Sequence, residues 1–170
     1  MNETQTDLPE PWLRGTLTDL PSLPRAVLHA LELAKEELWN WCFALSDEQL
    51  NQRVGEIAPV AFHLRHISRS LDRLLTYAEG AALDETQLSL LKSELDAGVK
   101  HDQLFDELRV ALDRTTRRVR ALALEDFNTP RVVGKKQLPT AIGGLLVHVA
   151  DHTQRHVGQA ILTAKLVTQR

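Results

Sequence analysis

A chain of 170 residues with 43% hydrophobic and 25% charged residues can bury one substantial core and has ordinary globular composition, which excludes a disordered or fibrous protein. Its net charge of -3 offers no general attraction to nucleic acid or anionic membrane, and no apolar run approaches the roughly 18 residues that span a bilayer. The single Cys42 excludes an intrachain disulfide, and Met1 to Asp7 lack the basic start and apolar stretch of a signal peptide, so a cytoplasmic protein with no nucleic-acid or membrane partner is expected.

A single domain spanning 1–170 is expected, opening on an arm, residues 1–22. Pro9, Pro11, Pro21 and Pro24 make this stretch extended with turns, docked through Trp12, Leu13 and Leu17. Leu23, Val27, Leu31, Ala34, Leu38, Trp41 and Leu45 then follow the three-four spacing of a first amphipathic helix. Ser46 to Gln49 has capping-box spacing for a short helical turn. A second long helix starts near Pro59, carries Val60, Leu64, Ile67, Leu71, Leu74, Leu75 and Ala78, and stops at Gly80.

Asp84 and Gln87 cap a shorter helix expected to run to Ala97, with Gly98 ending it. Leu104, Leu108, Ala111, Leu112, Thr115, Val119 and Leu122 mark a third long helix, followed by a loop from Asn128 through Gly134. The fourth is expected to open near Pro139 and to continue through Ile142, Leu145, Leu146, Val149, Ala160 and Val167. No alternating β-branched run suggests a sheet. The expected fold is an all-α four-helix bundle, a form whose metal and ligand sites are built from facing helices.

The chemistry concentrates in the fourth helix, where three of seven histidines, His148, His152 and His156, recur every fourth residue and so share one helical face. Stepping about 100° per residue, the stripe of Leu138, Ile142, Leu145, Val149 and Ala160 has a centre on which His156 falls. His152 lies about 50° and His148 about 90° away. His152 and His156 are therefore expected to face the bundle as metal ligands, and His148 to sit at the edge as a substrate-facing or orienting group. A third ligand should come from the second helix, where His63 flanks the apolar stripe and His66 lies further round beside Phe62, Ser70, Arg73 and Tyr77. Projection mildly favours His63 and leaves both open.

Ala58-Pro59-Val60-Ala61-Phe62-His63-Leu64-Arg65-His66-Ile67-Ser68-Arg69-Ser70, followed by His152-Thr153-Gln154-Arg155-His156-Val157-Gly158-Gln159, resembles the DinB-like superfamily of bacterial metalloproteins, unrelated to the DNA polymerase of the same name. The resemblance covers nearly the whole chain and implies a four-helix bundle with one divalent ion held by one histidine of the second helix and an H-x-x-x-H pair of the fourth. It selects His66, heading a His-x-x-x-Ser run, over His63, and joins it to His152 and His156.

The known activities of that superfamily are mostly thiol-dependent: S-transferases using bacillithiol or mycothiol, and a mycothiol-dependent maleylpyruvate isomerase. The resemblance thus implies a metal-dependent enzyme that transfers a low-molecular-weight thiol to an electrophile or hydrolyses a small substrate. A non-catalytic, stress-associated metal-binding bundle is the rival expectation. Zinc, nickel or iron suits three imidazoles, the thiol would be a cosubstrate, the partner a small molecule, and the assembly a homodimer.

Two departures from related motifs matter. The acidic residue often found three after the second-helix histidine is here Arg69, and the glutamate of an H-E-x-x-H metalloprotease is here Thr153, which excludes that peptidase mechanism. His148 is the candidate catalytic residue, with His63, Gln159, Asp151 and Tyr77 as orienters or proton carriers. His29 and His101 are expected at the surface or in caps. Arg65, Arg69 and Arg73 form a row expected to be a solvated face, with anionic-substrate binding as the alternative.

Overall fold

The structure is a computed structural model that describes residues 8–169; the first seven residues of the expected arm and Arg170 lie outside the described residues. Four long helices, α1 (Ser22–Cys42), α3 (Val60–Ala78), α5 (His101–Leu122) and α6 (Ile142–Thr168), form the expected bundle, with α6 packed between α1 and α3 and α5 closing the other side of α3. Leu38, Leu64, Ile67, Leu75, Leu108 and Leu146 sit at 0–1% exposure where the four apolar stripes meet. Truncating any one of them to alanine would cost about 2–5 kcal/mol.

Local signals set the ends of these elements. Both capping boxes form, Ser46 with Gln49 ahead of α2 (Asp47–Asn51) and Asp84 with Gln87 ahead of α4 (Glu85–Lys92). At the end of α3, Gly80 adopts φ +82°; its N–H bonds to the Tyr77 carbonyl and that of Ala81 to the Thr76 carbonyl, a Schellman closure that a side chain at Gly80 would strain.

The expectations fail in three places. The arm docks through buried Pro11 and through Leu17 and Leu20, which pack on the core, while Trp12 and Leu13 are 60% and 56% exposed. A two-stranded antiparallel hairpin, β1 (Pro130–Val133) and β2 (Leu138–Ala141), fills what reads as loop and helix start. It turns through Gly134 at φ +70° and Gln137 at φ +48°, and Pro139, which has no N–H to donate, is tolerated because both strands are edges. Arg131 of β1 holds the hairpin to the bundle by donating to the Ala78 carbonyl at the end of α3, 2.7 Å away. Lastly, α4 ends at Lys92, five residues before the expected Ala97, and the segment after it folds back against α3.

Candidate metal centre

Because Leu138 lies in β2, 59% exposed, it does not belong to the stripe of α6. The residues of α6 that are buried include Leu146, Thr153, Val157 and Ala164 as well as Ile142, Leu145, Val149 and Ala160. Their centre is displaced by roughly 30–40° from the one computed with Leu138, leaving His156 about 40° and His152 about 80° off it. The two histidines therefore stand on the flank of α6, half-buried, at the seam with α3, and the site opens outward along that seam.

Three imidazoles converge there. One nitrogen from each of His66, His152 and His156 lies within 4.8 Å of the others, and the ring centroids are 4.4, 4.7 and 5.0 Å apart. Nε2 of His66 and Nε2 of His152 are separated by 3.2 Å. Two nitrogens bound at 2.0–2.1 Å to one ion stand roughly 2.8–3.4 Å apart for bond angles between octahedral and tetrahedral, so the spacing fits a shared ion. Phe62 stacks on His66 at 5.3 Å and 22°, covering the ring with an apolar face.

The electrostatics suit a cation. Burial first, and then the neighbouring imidazoles, push His152 and His156 down to about 4, so both rings are neutral and offer lone pairs at physiological pH. Nδ1 of His66 donates to Oε2 of Glu94 at 2.6 Å, because an ionised carboxylate only accepts. That leaves Nε2 of His66 as the lone pair facing α6. Burial works to raise the Glu94 carboxyl, but hydrogen bonds from His66 and Arg73 outweigh it and hold the group below the usual carboxylate range.

Glu94 is the functional residue that sequence reasoning missed, placed as it was inside an expected helix. It is 5% exposed and receives a 2.6 Å hydrogen bond from Arg73 on its second oxygen. Arg65, 7% exposed, donates to the carbonyls of Ser93, Glu94 and Asp96, and Arg69 to the carbonyl of Leu90 and to Glu107. The arginine row is thus not a solvated face: its guanidiniums anchor segment 90–96 on α3 and hold the Glu94 carboxylate beside His66, while Arg69 and Arg73 also line a cleft between α3, α4 and α5. Three arginines on the same side of α3 as His66 demand acceptors, and that demand was the available signal.

The remaining candidates separate. His148 stands one turn before His152, its side chain 45% exposed and its Nδ1 2.9 Å from Oδ1 of Asp151. His63 is 4% exposed and touches His156, while Gln159 lines a cleft of about 430 Å³ with Ile57, Phe62, His63 and Leu162 beside the cluster. Tyr77 lies three turns along α3 from His66 and packs on the core, away from the site. Thr153 is 1% exposed and donates to the Val149 carbonyl at 2.7 Å, so no general base stands at the metalloprotease position. His29 is buried against Thr16 rather than exposed, and His101, first residue of α5, reaches the Phe43 carbonyl at 2.8 Å. A second cleft of about 370 Å³, between α3, α4 and α5, has none of the described histidines in its walls.

The family profile described as the DinB superfamily matches residues 30–160. The chain belongs to this superfamily. The match spans α1 through most of α6 and contains every residue of the histidine cluster, and a three-histidine cluster compatible with a divalent ion is what this DinB protein carries. No curated protein matches the chain.

Proposed function

We propose that this DinB-superfamily protein holds one divalent ion on His66, His152 and His156 and uses it to transfer a low-molecular-weight thiol to an electrophile or to hydrolyse a small substrate. The observation that carries the reading is the 3.2 Å approach of Nε2 of His66 to Nε2 of His152, with the far nitrogen of His66 committed to Glu94. With the Nδ1 proton of His66 given to Glu94, its Nε2 lone pair points at His152, and the third imidazole of His156 converging on the same place supports an ion shared by the three. The donor set of three imidazoles fits zinc, nickel or iron.

An ion held by three imidazoles keeps coordination positions open and lowers the pKa of a thiol or water, so that a nucleophile exists near neutral pH. The chain's own residues do the rest. Glu94 fixes the ring of His66, Phe62 shields one side of the cluster from water, and His148, held by Asp151 at the exposed edge, carries a proton between substrate and solvent. The mostly apolar cleft beside His63 receives the body of a small substrate, with the Gln159 amide at its wall. No helix among the described residues is long and apolar enough to cross a membrane. A cytoplasmic homodimer acting on small molecules completes the proposal.

The test uses protein made without an affinity tag and loaded with cobalt. Bacillithiol or mycothiol should change the visible spectrum as a thiolate enters the coordination shell, and His148→Ala should keep the metal while lowering turnover. A spectrum indifferent to every such thiol removes the transferase reading; indifference to hydrolysable substrates as well leaves the non-catalytic metal-binding bundle.

A further inference from the structure

Behind the cluster stands a fourth imidazole. His63, three residues before His66 on α3, is 4% exposed, and its Nδ1 lies 3.1 Å from Nδ1 of His156. Two ring nitrogens at this distance make a hydrogen bond only when one carries a proton and the other a lone pair. The pair has two arrangements, and the cluster decides between them. Since Nδ1 of His156 faces His63, the nitrogen left for the position shared with His66 and His152 is Nε2. A neutral ring with its lone pair on Nε2 carries its proton on Nδ1. Nδ1 of His156 therefore donates, Nδ1 of His63 accepts, and His63 holds its own proton on Nε2.

We infer that His63 is a positioning residue for His156: by accepting the Nδ1 proton it fixes both the tautomer and the orientation of the ring that presents Nε2 to the ion. This rests on the metal site proposed above. The two histidines of α3 then have opposite tasks, His66 facing the ion and His63 facing a ligand. The cost of the arrangement is that Nε2 of His63, carrying the proton, is shut away from water without a hydrogen-bond partner. Each of two rings in the cluster thus has an orienting acceptor, Glu94 for His66 and His63 for His156, whereas Nδ1 of His152 is buried without a partner. His63 is accordingly the acceptor that α3 contributes to Nδ1 of His156.

The experiment measures zinc affinity of the full chain by competition with a chromophoric chelator, for wild type, His63→Leu and His63→Asn, with X-ray absorption counting imidazoles in each. His63→Leu should weaken zinc binding about tenfold to hundredfold. His63→Asn, whose side-chain oxygen takes the place of Nδ1 as acceptor, should recover most of it, and all three proteins should show the same number of bound imidazoles. In zinc-loaded wild type, nitrogen NMR should show His63 protonated on Nε2 and His156 on Nδ1, a readout that stands if His63→Leu fails to fold. Unchanged affinity in His63→Leu, the reverse proton pattern, or one imidazole fewer in the His63→Leu shell would overturn the inference while leaving the metal site standing. Wild-type protein that binds no divalent ion overturns the metal site, and the inference falls with it.

Discussion

Oε2 of Glu94 accepts a hydrogen bond from Nδ1 of His66 across 2.6 Å, although 28 residues separate the two in the chain. The same carboxylate takes a hydrogen bond from Arg73, so a buried ion pair and the orientation of a candidate ligand depend on one side chain. Removing one partner of a buried pair strands the other charge, which costs about 3–5 kcal/mol. Glu94→Ala should therefore lower stability by about 3 kcal/mol in urea denaturation and weaken zinc binding tenfold or more. Glu94→Gln, whose single amide oxygen can accept from His66 or from Arg73 and not from both, should fall between wild type and Glu94→Ala in each. Wild-type zinc affinity in Glu94→Ala would refute the orienting role.

Ion and fold should be linked, since a ligand held only by the native state stabilises it by mass action. Chelation should lower the melting temperature of protein as isolated. His152→Ala should lower it too and should abolish most of the chelator's effect, because both perturbations act through one site. Additive losses measured by calorimetry would show two separate sites.

Acid should destabilise the metal-free protein before its carboxylates titrate. His63, His152 and His156 sit near 4 in the folded state against 6.5 for an ordinary histidine, burial being the largest cause in each. Between these values the unfolded chain binds more protons than the folded one, so stability falls as pH drops from about 6.5 towards 4. His101 has the opposite sign: Asp102 raises it, so its contribution is present below 6.5 and fades as pH rises through its folded value. Thermal denaturation across pH 4–8 should show the acid loss in wild type and a shallower one in a His63→Asn/His152→Asn variant. A profile flat between pH 6.5 and 4 would contradict the shifts.

The glycines of α6 divide by their surroundings. A Cβ at Gly143 would meet the Phe127 carbonyl oxygen at 3.1 Å, where that backbone accepts the Gly143 N–H, whereas a Cβ at Gly158 would meet nothing within 4 Å. Gly143→Ala should cost about 1–2 kcal/mol and Gly158→Ala should add about 0.5–1 kcal/mol, alanine being the better helix former. Metal content should be unchanged in Gly158→Ala. Chemical denaturation of the two variants checks the opposite signs.

Periodicity and capping chemistry are local properties, and they determined the four long helices, both capping boxes and the closure at Gly80, because each depends on residues within a turn or two of one another. The four-residue spacing of His152 and His156 likewise placed two imidazoles on one face with no knowledge of the partner helix. Whether His63 or His66 joined them was open to projection, which sees one helix at a time. Here the family resemblance favoured His66, and tertiary structure brings His66 to within 3.2 Å of His152 while leaving His63 behind His156. Only packing shifted the buried stripe of α6 so that the pair fell on its flank, since Leu138 belongs to a hairpin held by Arg131. Only packing made the arginines of α3 into anchors and carried Glu94 to His66: a carboxylate and an imidazole 28 residues apart share no periodicity, and the three-dimensional path of the chain alone sets their distance.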